Sequence, residues 1–453
     1  MTGCLIDKVK ALAKPLQNAK EDKSLEKFII GGSTRLSGEI SIGGAKNAVV
    51  AIIPATILAK GRCVIHNVPN ISDVSILLKV LSEMGAQVNF YDKKTVEIDT
   101  SNIYNPYVSY ELARHLRASY YYLGSLIGRC GKASVSMPGG CSLGVRPIDQ
   151  HIKGFESLGA NVSIDHGVIN TSLARPLIGS HIYFDVVSVG ATINVMLAAV
   201  RAKGLTVLEN VAKEPHIVDL ANFLNTMGAD VRGAGTDVIK IHGVDIMRGA
   251  EYTIIPDQIE AGTYMIAAAA TGGDVRVKNI IPKHMESISN KLIRSGAILD
   301  EFDDSIRVRR LESILPTTIK TMSHPGFPTD MQPQFTAMLA LAQGTSMVTE
   351  GVWDSRFRYV DELARMGANI QVDGKVAVVQ GVDRLKAAPV KATDLRAGAA
   401  LMIAALCAEG DTEIENIHHI ERGYEDVIDK FRSLGARIKR VDIPDIDMPA
   451  VAL

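Results

Sequence analysis

Leu81-Ser82-Glu83-Met84-Gly85-Ala86-Gln87-Val88 returns along the chain as Phe155-Glu-Ser-Leu-Gly159-Ala-Asn-Val162 and Leu224-Asn-Thr-Met-Gly228-Ala-Asp-Val231. It comes back more weakly as Leu292-Ile-Arg-Ser-Gly296-Ala-Ile-Leu299, then as Leu363-Ala-Arg-Met-Gly367-Ala-Asn-Ile370 and Phe431-Arg-Ser-Leu-Gly435-Ala-Arg-Ile438. The copies lie about 70 residues apart, longer than a solenoid period, which indicates six copies of one compact supersecondary unit. Each copy reads as a helix that ends on glycine, the residue that best takes the left-handed C-terminal position. A short apolar strand starts within two residues of it.

Upstream of the motif each unit holds a second, more apolar helix; residues 45–58, 112–127, 192–200 and 395–406 are examples. A helix that is apolar on nearly every side is buried rather than amphipathic. The unit therefore reads as helices inside and strands outside, unlike a doubly wound sheet, whose strands are the buried elements. Six units divide most simply into two domains of three. Short strands at 28–30 and 39–42 precede the first unit; if they pair with the second domain, the chain crosses twice between domains.

The composition fits this size. The chain has 453 residues, 47% hydrophobic and 22% charged, with a formal net charge of -1. That balance gives no argument for nucleic acid or an anionic membrane as partner, since both favour a basic surface. The five cysteines, Cys4, Cys63, Cys130, Cys141 and Cys407, form no C-x-x-C pair, so neither a disulfide framework nor a zinc site is expected, and a reducing cytosol fits best. No H-x-x-x-H or G-x-S-x-G appears, and no metal is expected. No apolar run approaches the ~20 residues a bilayer needs. Residues 1–28 lack the apolar core of a secretory signal and read as an extension ahead of the fold.

Several stretches can carry chemistry. Pro138-Gly139-Gly140-Cys141-Ser142-Leu143-Gly144-Val145-Arg146-Pro147 reads as an exposed loop with a thiol near a fixed positive charge, either reactive or incidental. Gly43-Gly44-Ala45-Lys46-Asn47 opens a buried helix and is either an anion site or an ordinary helix start. Arg114 and Arg117, three apart, are expected to share a helix face. Asp330 is either a helix cap or a general base. Asp257 and Glu260 read as first-turn acids, and His418-His419 as structural. Arg356, Arg396 and Arg422 each sit near a helix start, where they oppose the dipole; the alternatives are an anion-lined cleft and salt bridges within the fold. If they line a cleft, they are expected to repel one another until an anion enters.

Taken in order, Gly44-Ala45-Lys46-Asn47-Ala48, Leu116-Arg117-Ala118-Ser119, the Pro138 to Asp149 stretch and Val187-Ser188-Val189-Gly190-Ala191-Thr192 resemble the UDP-N-acetylglucosamine enolpyruvyl transferases (1-carboxyvinyltransferases). Phe327-Pro328-Thr329-Asp330-Met331-Gln332, Asp394-Leu395-Arg396-Ala397 and Arg422-Gly423-Tyr424-Glu425 extend the resemblance to about Val441. It implies an α/β fold of two inside-out α/β barrel domains, each of three repeated units with helices inside and sheets outside. By resemblance, residues 1–27 are an N-terminal extension, 46–254 the first domain with the Cys141 loop, and 28–45 plus 255–453 the second.

The implied reaction moves the enolpyruvyl group of phosphoenolpyruvate onto the 3-hydroxyl of UDP-N-acetylglucosamine, releasing phosphate without a cofactor. It is the first committed step of peptidoglycan precursor synthesis, in the cytoplasm. Cys141 matches the family's general acid and fosfomycin target, and Asp330 its base, with Lys46 and Arg422 also catalytic. Lys46, Arg146 and Arg422 would hold the phosphate, Arg356 and Arg396 the carboxylate, with Asn47 beside the donor. The sugar nucleotide would contact Arg117, Arg146, Pro147, Ile148, Asp149, Gln150, Val186, Val187, Ser188, Val189, Gly190, Asp330 and Val352. Two positions depart from the pattern: Val186 stands where many members carry lysine, and Gln150 where leucine is common. The alternatives are the shikimate-pathway enolpyruvyl transferase, which lacks the Pro-Gly-Gly-Cys loop, and a non-catalytic paralogue, against which Cys141, Asp330 and Lys46 argue.

Overall fold

The computed structural model describes residues 25–137 and 148–443. The stretch 138–147, on which the expectations for Cys141, Arg146 and Pro147 fall, lies outside the described residues, as do 1–24 and 444–453.

All six motif glycines, Gly85, Gly159, Gly228, Gly296, Gly367 and Gly435, take φ between +89° and +109°. The turn they allow closes the helix: the N–H of Ala86 returns to the carbonyl of Leu81 at 3.0 Å, and Ala229, Ala297 and Ala436 repeat the bond to Leu224, Leu292 and Phe431. The chain then enters a strand. In the first unit Gln87–Phe90 pairs antiparallel with Val96–Asp99, which pairs antiparallel with Arg62–His66.

The fourth strand of this sheet comes from far along the chain. Glu251–Thr253 lies parallel to Arg62–His66, while Tyr107–Val108 joins Lys132–Ser136 and His181–Tyr183 joins Leu205–Glu209 in the same way. Each unit thus lends a strand to the next, and the third lends one back to the first, so three sheets close into a ring. The second half repeats this, giving six four-stranded sheets in all among the described residues.

Inside the rings run the apolar helices Lys46–Ala55, Tyr121–Cys130 and Val189–Ala199, and Gln258–Ala270, Gln332–Leu339 and Leu395–Cys407. Every residue from Ile259 to Ala270 is buried, as is every residue from Ala191 to Ala199. Such helices must be covered on all sides, and the sheets and the outer helices cover them. Two of them touch closely at Gly124, where a Cβ would lie 2.2 Å from the Asn194 carbonyl oxygen. Buried Asn194 holds the contact, accepting from the Gly124 N–H at 2.8 Å and donating to the Tyr120 carbonyl at 2.8 Å.

The expected helix over 112–127 is broken. Tyr110–Ala113 is a short helix, Leu116 turns extended (φ −132°, ψ 108°), and a 3₁₀ turn over Arg117–Tyr120 leads into Tyr121–Cys130. Arg114 and Arg117 therefore share no helix face; Arg114 pairs with Glu111 at 3.1 Å.

The N-terminal strands belong with the second ring. Leu25–Gly31, three residues longer at its start than expected, lies antiparallel between Asp411–Glu415 and Arg437–Ile443. Ser37–Ser41 lies parallel to Asp274–Lys278. The chain then passes to the first ring beside the segment that returns from it: Ala45 N–H bonds the Ile255 carbonyl at 2.8 Å and Asp257 N–H the Gly43 carbonyl at 3.0 Å. Only glycine fits at 44, since a Cβ would lie 1.7 Å from the Asn67 carbonyl oxygen. Buried apolar residues form two clusters, one within 45–254 and the other of 28–42 with 259–438. We propose that these are two domains, dividing at this double crossing.

Gly228 tests the repeated turn, because a Cβ there meets nothing within 4 Å and only φ resists it. Gly228→Ala should lower unfolding free energy by about 1 kcal/mol in urea titration, and Gly228→Asn by less. Equal stability of all three proteins would show that the left-handed turn is not what constrains this position.

Candidate active site

The strands Arg62–His66, Leu205–Glu209, Asp274–Lys278 and Asp411–Glu415 run out into Asn67, Asn210, Asn279 and Asn416, all left-handed with φ of +55° to +58°. Asparagine tolerates this conformation because its short side chain bonds locally. Asn67, Asn210 and Asn279 donate to the carbonyls of Ile254, Phe184 and Ile42 at 3.0, 2.8 and 2.7 Å. The segments that follow lead to Asp73 in the first turn of Ser72–Met84, Glu214 at the N-cap of Pro215–Thr226, His284 in the first turn of Pro282–Arg294, and Arg422 at the end of His418–Glu421. This second repeated signal, a strand ending in Asn-Val or Asn-Ile, is visible in the sequence and escaped its reading.

Two of these segments meet between the rings at Asp73, which sequence reasoning missed. Its carboxylate is 2% exposed and receives Lys46 Nζ at 3.2 Å and Arg422 Nε at 2.9 Å. Burial alone would push the Asp73 carboxyl up, but the Lys46 and Arg422 charges outweigh it and hold it below the ordinary range. Nearby, Glu425 accepts from the Asn70 N–H at 2.9 Å and faces Lys94 at 3.5 Å, a second tie between the halves.

Asp330 sits in the 3₁₀ turn Thr329–Met331 and caps no helix through its side chain. Its Oδ1 accepts from Arg356 Nη2 at 3.1 Å and its Oδ2 from Arg396 Nη2 at 2.9 Å. Asn47 Nδ2 reaches Oδ2 at 3.5 Å from the other domain. Burial pushes the Asp330 carboxyl up, yet Arg396 and Arg356 prevail and hold it far below the usual carboxylate range. Among the described residues, Arg356 Nε and Arg396 Nη1 are buried without a hydrogen-bond partner. Unmet donors on two buried cations are what an entering anion would satisfy.

The turn itself is held by Glu350, also missed in the sequence. It is 1% exposed and accepts from the hydroxyls of Thr321 and Thr329 at 2.7 and 3.1 Å and from the N–H of Val352 at 2.8 Å. It thereby fixes Val352 relative to Asp330.

Inner-helix N-termini open onto the same region. Asp257 and Asp394 cap theirs, as first-turn acids do; Asp257 Oδ1 accepts from Ile259 N–H at 2.7 Å, and Asp394 Oδ1 from Arg396 N–H at 2.9 Å. Asp257 also accepts from the Lys46 N–H at 2.9 Å, so the start of one inner helix is held by the cap of another. The cap at Asp394 shows why Arg396 can stand at a helix start: the adjacent carboxylates of Asp394 and Asp330 offset the dipole.

Of the residues expected at the sugar nucleotide, Asp149, Gln150 and the stretch 186–190 lie together. Gln150 Nε2 donates to Asp149 at 2.7 Å and to Asp185 at 3.1 Å, and its Oε1 accepts from the Asp185 N–H at 2.9 Å. Gln150 thus fixes the backbone that presents Val186 and Val187, both exposed. Ser188 caps Val189–Ala199 through its hydroxyl, which accepts from Ala191 N–H at 3.2 Å. A Cβ at Gly190 would lie 3.0 Å from His151 Nε2. Ile148 is buried, and Arg117 is half-buried at the start of its turn.

The expected repulsion between the arginines is eased in part by internal carboxylates. Two cation pairs, Lys46 with Arg422 and Arg356 with Arg396, each share one carboxylate, which offsets one of the two charges and leaves the other to be met by a further anion. Among the described thiols, burial pushes Cys63 up to about 11 and Cys407 to about 12, and Cys130 also upward, so none is poised as a thiolate.

Residues 30–431 match the family model described as EPSP synthase (3-phosphoshikimate 1-carboxyvinyltransferase). UDP-N-acetylglucosamine 1-carboxyvinyltransferase 3 of Caldanaerobacter subterraneus subsp. tengcongensis is 55% identical over 417 residues, 92% of this chain and 100% of that one. UDP-N-acetylglucosamine 1-carboxyvinyltransferase 2 of Clostridium acetobutylicum is 56% identical over 420 residues, with the same coverage. Among solved structures, the enolpyruvyl transferase NikO from Streptomyces tendae superposes with a TM-score of 0.84 at 26% identity, covering 93% of this chain and 100% of that one. EPSP synthase from Acinetobacter baumannii shares the fold at a TM-score of 0.73 and 18% identity, over 92% of this chain and 100% of that one.

Asp73→Asn should destabilise the protein by about 3 kcal/mol, since it leaves two cations facing a neutral amide. The folded carboxyl lies below its unfolded value, so its contribution is fully present above about pH 4 and is lost as pH falls through the folded pKa. Urea titrations of both proteins should therefore differ at pH 7 and converge in stronger acid. A difference that stays constant with pH would show that charge at Asp73 is not responsible.

Proposed function

Because this chain belongs to the enolpyruvyl transferase family, we propose that it transfers the enolpyruvyl group of phosphoenolpyruvate to the 3-hydroxyl of UDP-N-acetylglucosamine and releases phosphate. The observation that carries this reading is the presence of two cation pairs in one cleft, each held by a single internal carboxylate. Phosphoenolpyruvate has two anionic ends, a carboxylate and a phosphate. We assign Arg356 and Arg396 to the carboxylate, and Lys46 and Arg422, with Arg146, to the phosphate. The unmet donors of Arg356 and Arg396 and the positive ends of the inner helices support the assignment.

The reaction is an addition followed by an elimination. The acceptor 3-hydroxyl oxygen bonds to C2 of the donor, Cys141 gives a proton to C3, and Asp330 takes the hydroxyl proton. The C2–O bond to phosphate then breaks with its electron pair, and C3 loses a proton to restore the double bond. In the empty cleft Asp330 is a poor base because two arginines stabilise its charge. A donor carboxylate that takes up Arg356 and Arg396 relieves this and raises the proton affinity of Asp330. The base is thus released only when the donor is bound.

For the acceptor, we assign Asp330, Val352, Arg117, Asn47 and the stretches 146–150 and 186–190. Val186 brings no charge, so nucleotide binding rests on backbone groups in the geometry Gln150 imposes. The relatives at 55% and 56% identity bear the name of the UDP-N-acetylglucosamine enzyme, while the EPSP synthase structure is only 18% identical, which favours this acceptor over shikimate 3-phosphate. Peptidoglycan precursor synthesis in the cytoplasm is the setting we propose. Among the described residues no helix is long and apolar enough to cross a membrane.

Phosphate release from phosphoenolpyruvate should require UDP-N-acetylglucosamine and should not occur with shikimate 3-phosphate or without acceptor; release with shikimate 3-phosphate alone would reassign the substrate. Cys141→Ala should lower turnover by about 100-fold or more, whereas Cys141→Asp keeps measurable activity. Mass spectrometry after fosfomycin should find the adduct on Cys141, and labelling of Cys63 or Cys407 instead would contradict the assignment. Asp330→Asn should lower kcat by about 100-fold without weakening the binding of phosphoenolpyruvate, because the amide competes less for Arg356 and Arg396. Parallel loss of affinity would mean that Asp330 serves to position the arginines rather than to take the proton.

A further inference from the structure

We propose that the second domain carries a separate anion site, in the groove between the outer helix Pro282–Arg294 and the strand Thr318–Lys320, that takes the polyphosphate group of a small molecule. The groove has a volume of about 870 Å³, in the range of ligand cavities. Three cations line it, Lys291 and Arg294 from the last helical turn and Lys320 from the strand. Among the described residues none of the three makes an ion pair, and no acidic side chain lines the groove.

Neighbouring cations of the same domain are handled differently. Arg307 pairs with Asp274 at 2.6 Å and Arg309 with Asp300 at 2.7 Å. In the groove, Lys291 Nζ donates to the neutral Thr318 carbonyl, at 2.6 Å. Burial and the adjacent Arg294 both push the Lys291 ammonium down, the mark of a charge without its counter-ion. The helix dipole accounts for cations at the end of Pro282–Arg294. It does not account for Lys320, which reaches the same space from another element. The neutral groups of Asn290 and Thr317 complete a lining suited to phosphate oxygens.

The site is distinct from the cleft, because none of Lys46, Arg356, Arg396 and Arg422 lines it. It nevertheless shares a wall with the catalytic turn. Phe327 lines the groove and stands three residues before Asp330, and its carbonyl accepts from the Met322 N–H at 3.0 Å. An anion bound here would lie against the segment that sets Asp330.

The test uses the full chain saturated with UDP-N-acetylglucosamine, so that the nucleotide cleft is filled, and titrates inorganic pyrophosphate and, separately, ADP by calorimetry. Both probes should bind, and Arg294→Gln/Lys320→Gln should weaken each by about tenfold or more. That variant should keep the wild-type melting temperature and basal phosphate release, while Arg294→Lys should retain binding. ADP binding tighter than pyrophosphate assigns the site to a nucleotide-like ligand, and equal affinities assign it to free diphosphate. Failure of both probes to bind the wild type, or equal affinities for the wild type and the double variant, would overturn the proposal.

Discussion

A helix that is apolar on every side has to be covered on every side, and the architecture follows from that requirement. One sheet covers one face of a helix, so three sheets must surround a trio of such helices. No edge of the trio can stay open, and a strand exchanged from each unit to the next closes the ring. With the helices inside, their termini are the only parts that reach the surface. The functional groups gather there, around Lys46, Ser188, Asp257 and Asp394, where partial positive charge is already present.

The second organising feature is charge balance at the boundary between the rings. Four cations stand in a largely desolvated cleft, which would be prohibitive without anions. Asp73 and Asp330 supply them, one for each pair. In the proposed reaction the same contacts set the strength of the base. A carboxylate held by two arginines is a weak base, and it becomes a stronger one only when another anion takes them. In the reaction we propose, binding of the donor and activation of the base are a single electrostatic event. Asp73 also ties Lys46 of one domain to Arg422 of the other, so the charge balance and the relative placement of the domains depend on the same contact.

Repeats with a common plan differ in what their loops carry. The left-handed asparagines turn four loops in equivalent ways, yet one delivers Asp73 and another Arg422. The scaffold fixes where a loop emerges, and local sequence decides what it presents. Glu350 works similarly: one buried carboxylate with four donors ties the Asp330 turn to Val352.

The repeat, its glycine turns and the apolar helices were legible in the sequence, because backbone conformation and burial leave a local mark: glycine where φ is positive, apolar residues on every face. The motif residues Lys46, Asp330, Arg356, Arg396 and Arg422 were legible by resemblance. The break at Leu116 was not, because an apolar run reads as helix until its packing is known. Nor were Asp73 and Glu350, since a lone acid carries no local mark of its burial. What sets them apart is burial, Glu350 among hydroxyl and N–H donors and Asp73 against cations; Asp73 meets Arg422 across 349 residues. Spacing encodes neither that distance nor the dielectric around it. The sequence alone determined which units form; the pairing of their charges was decided only by tertiary structure, because the energy of an ion pair depends on separation and desolvation, and both exist only once the chain has folded.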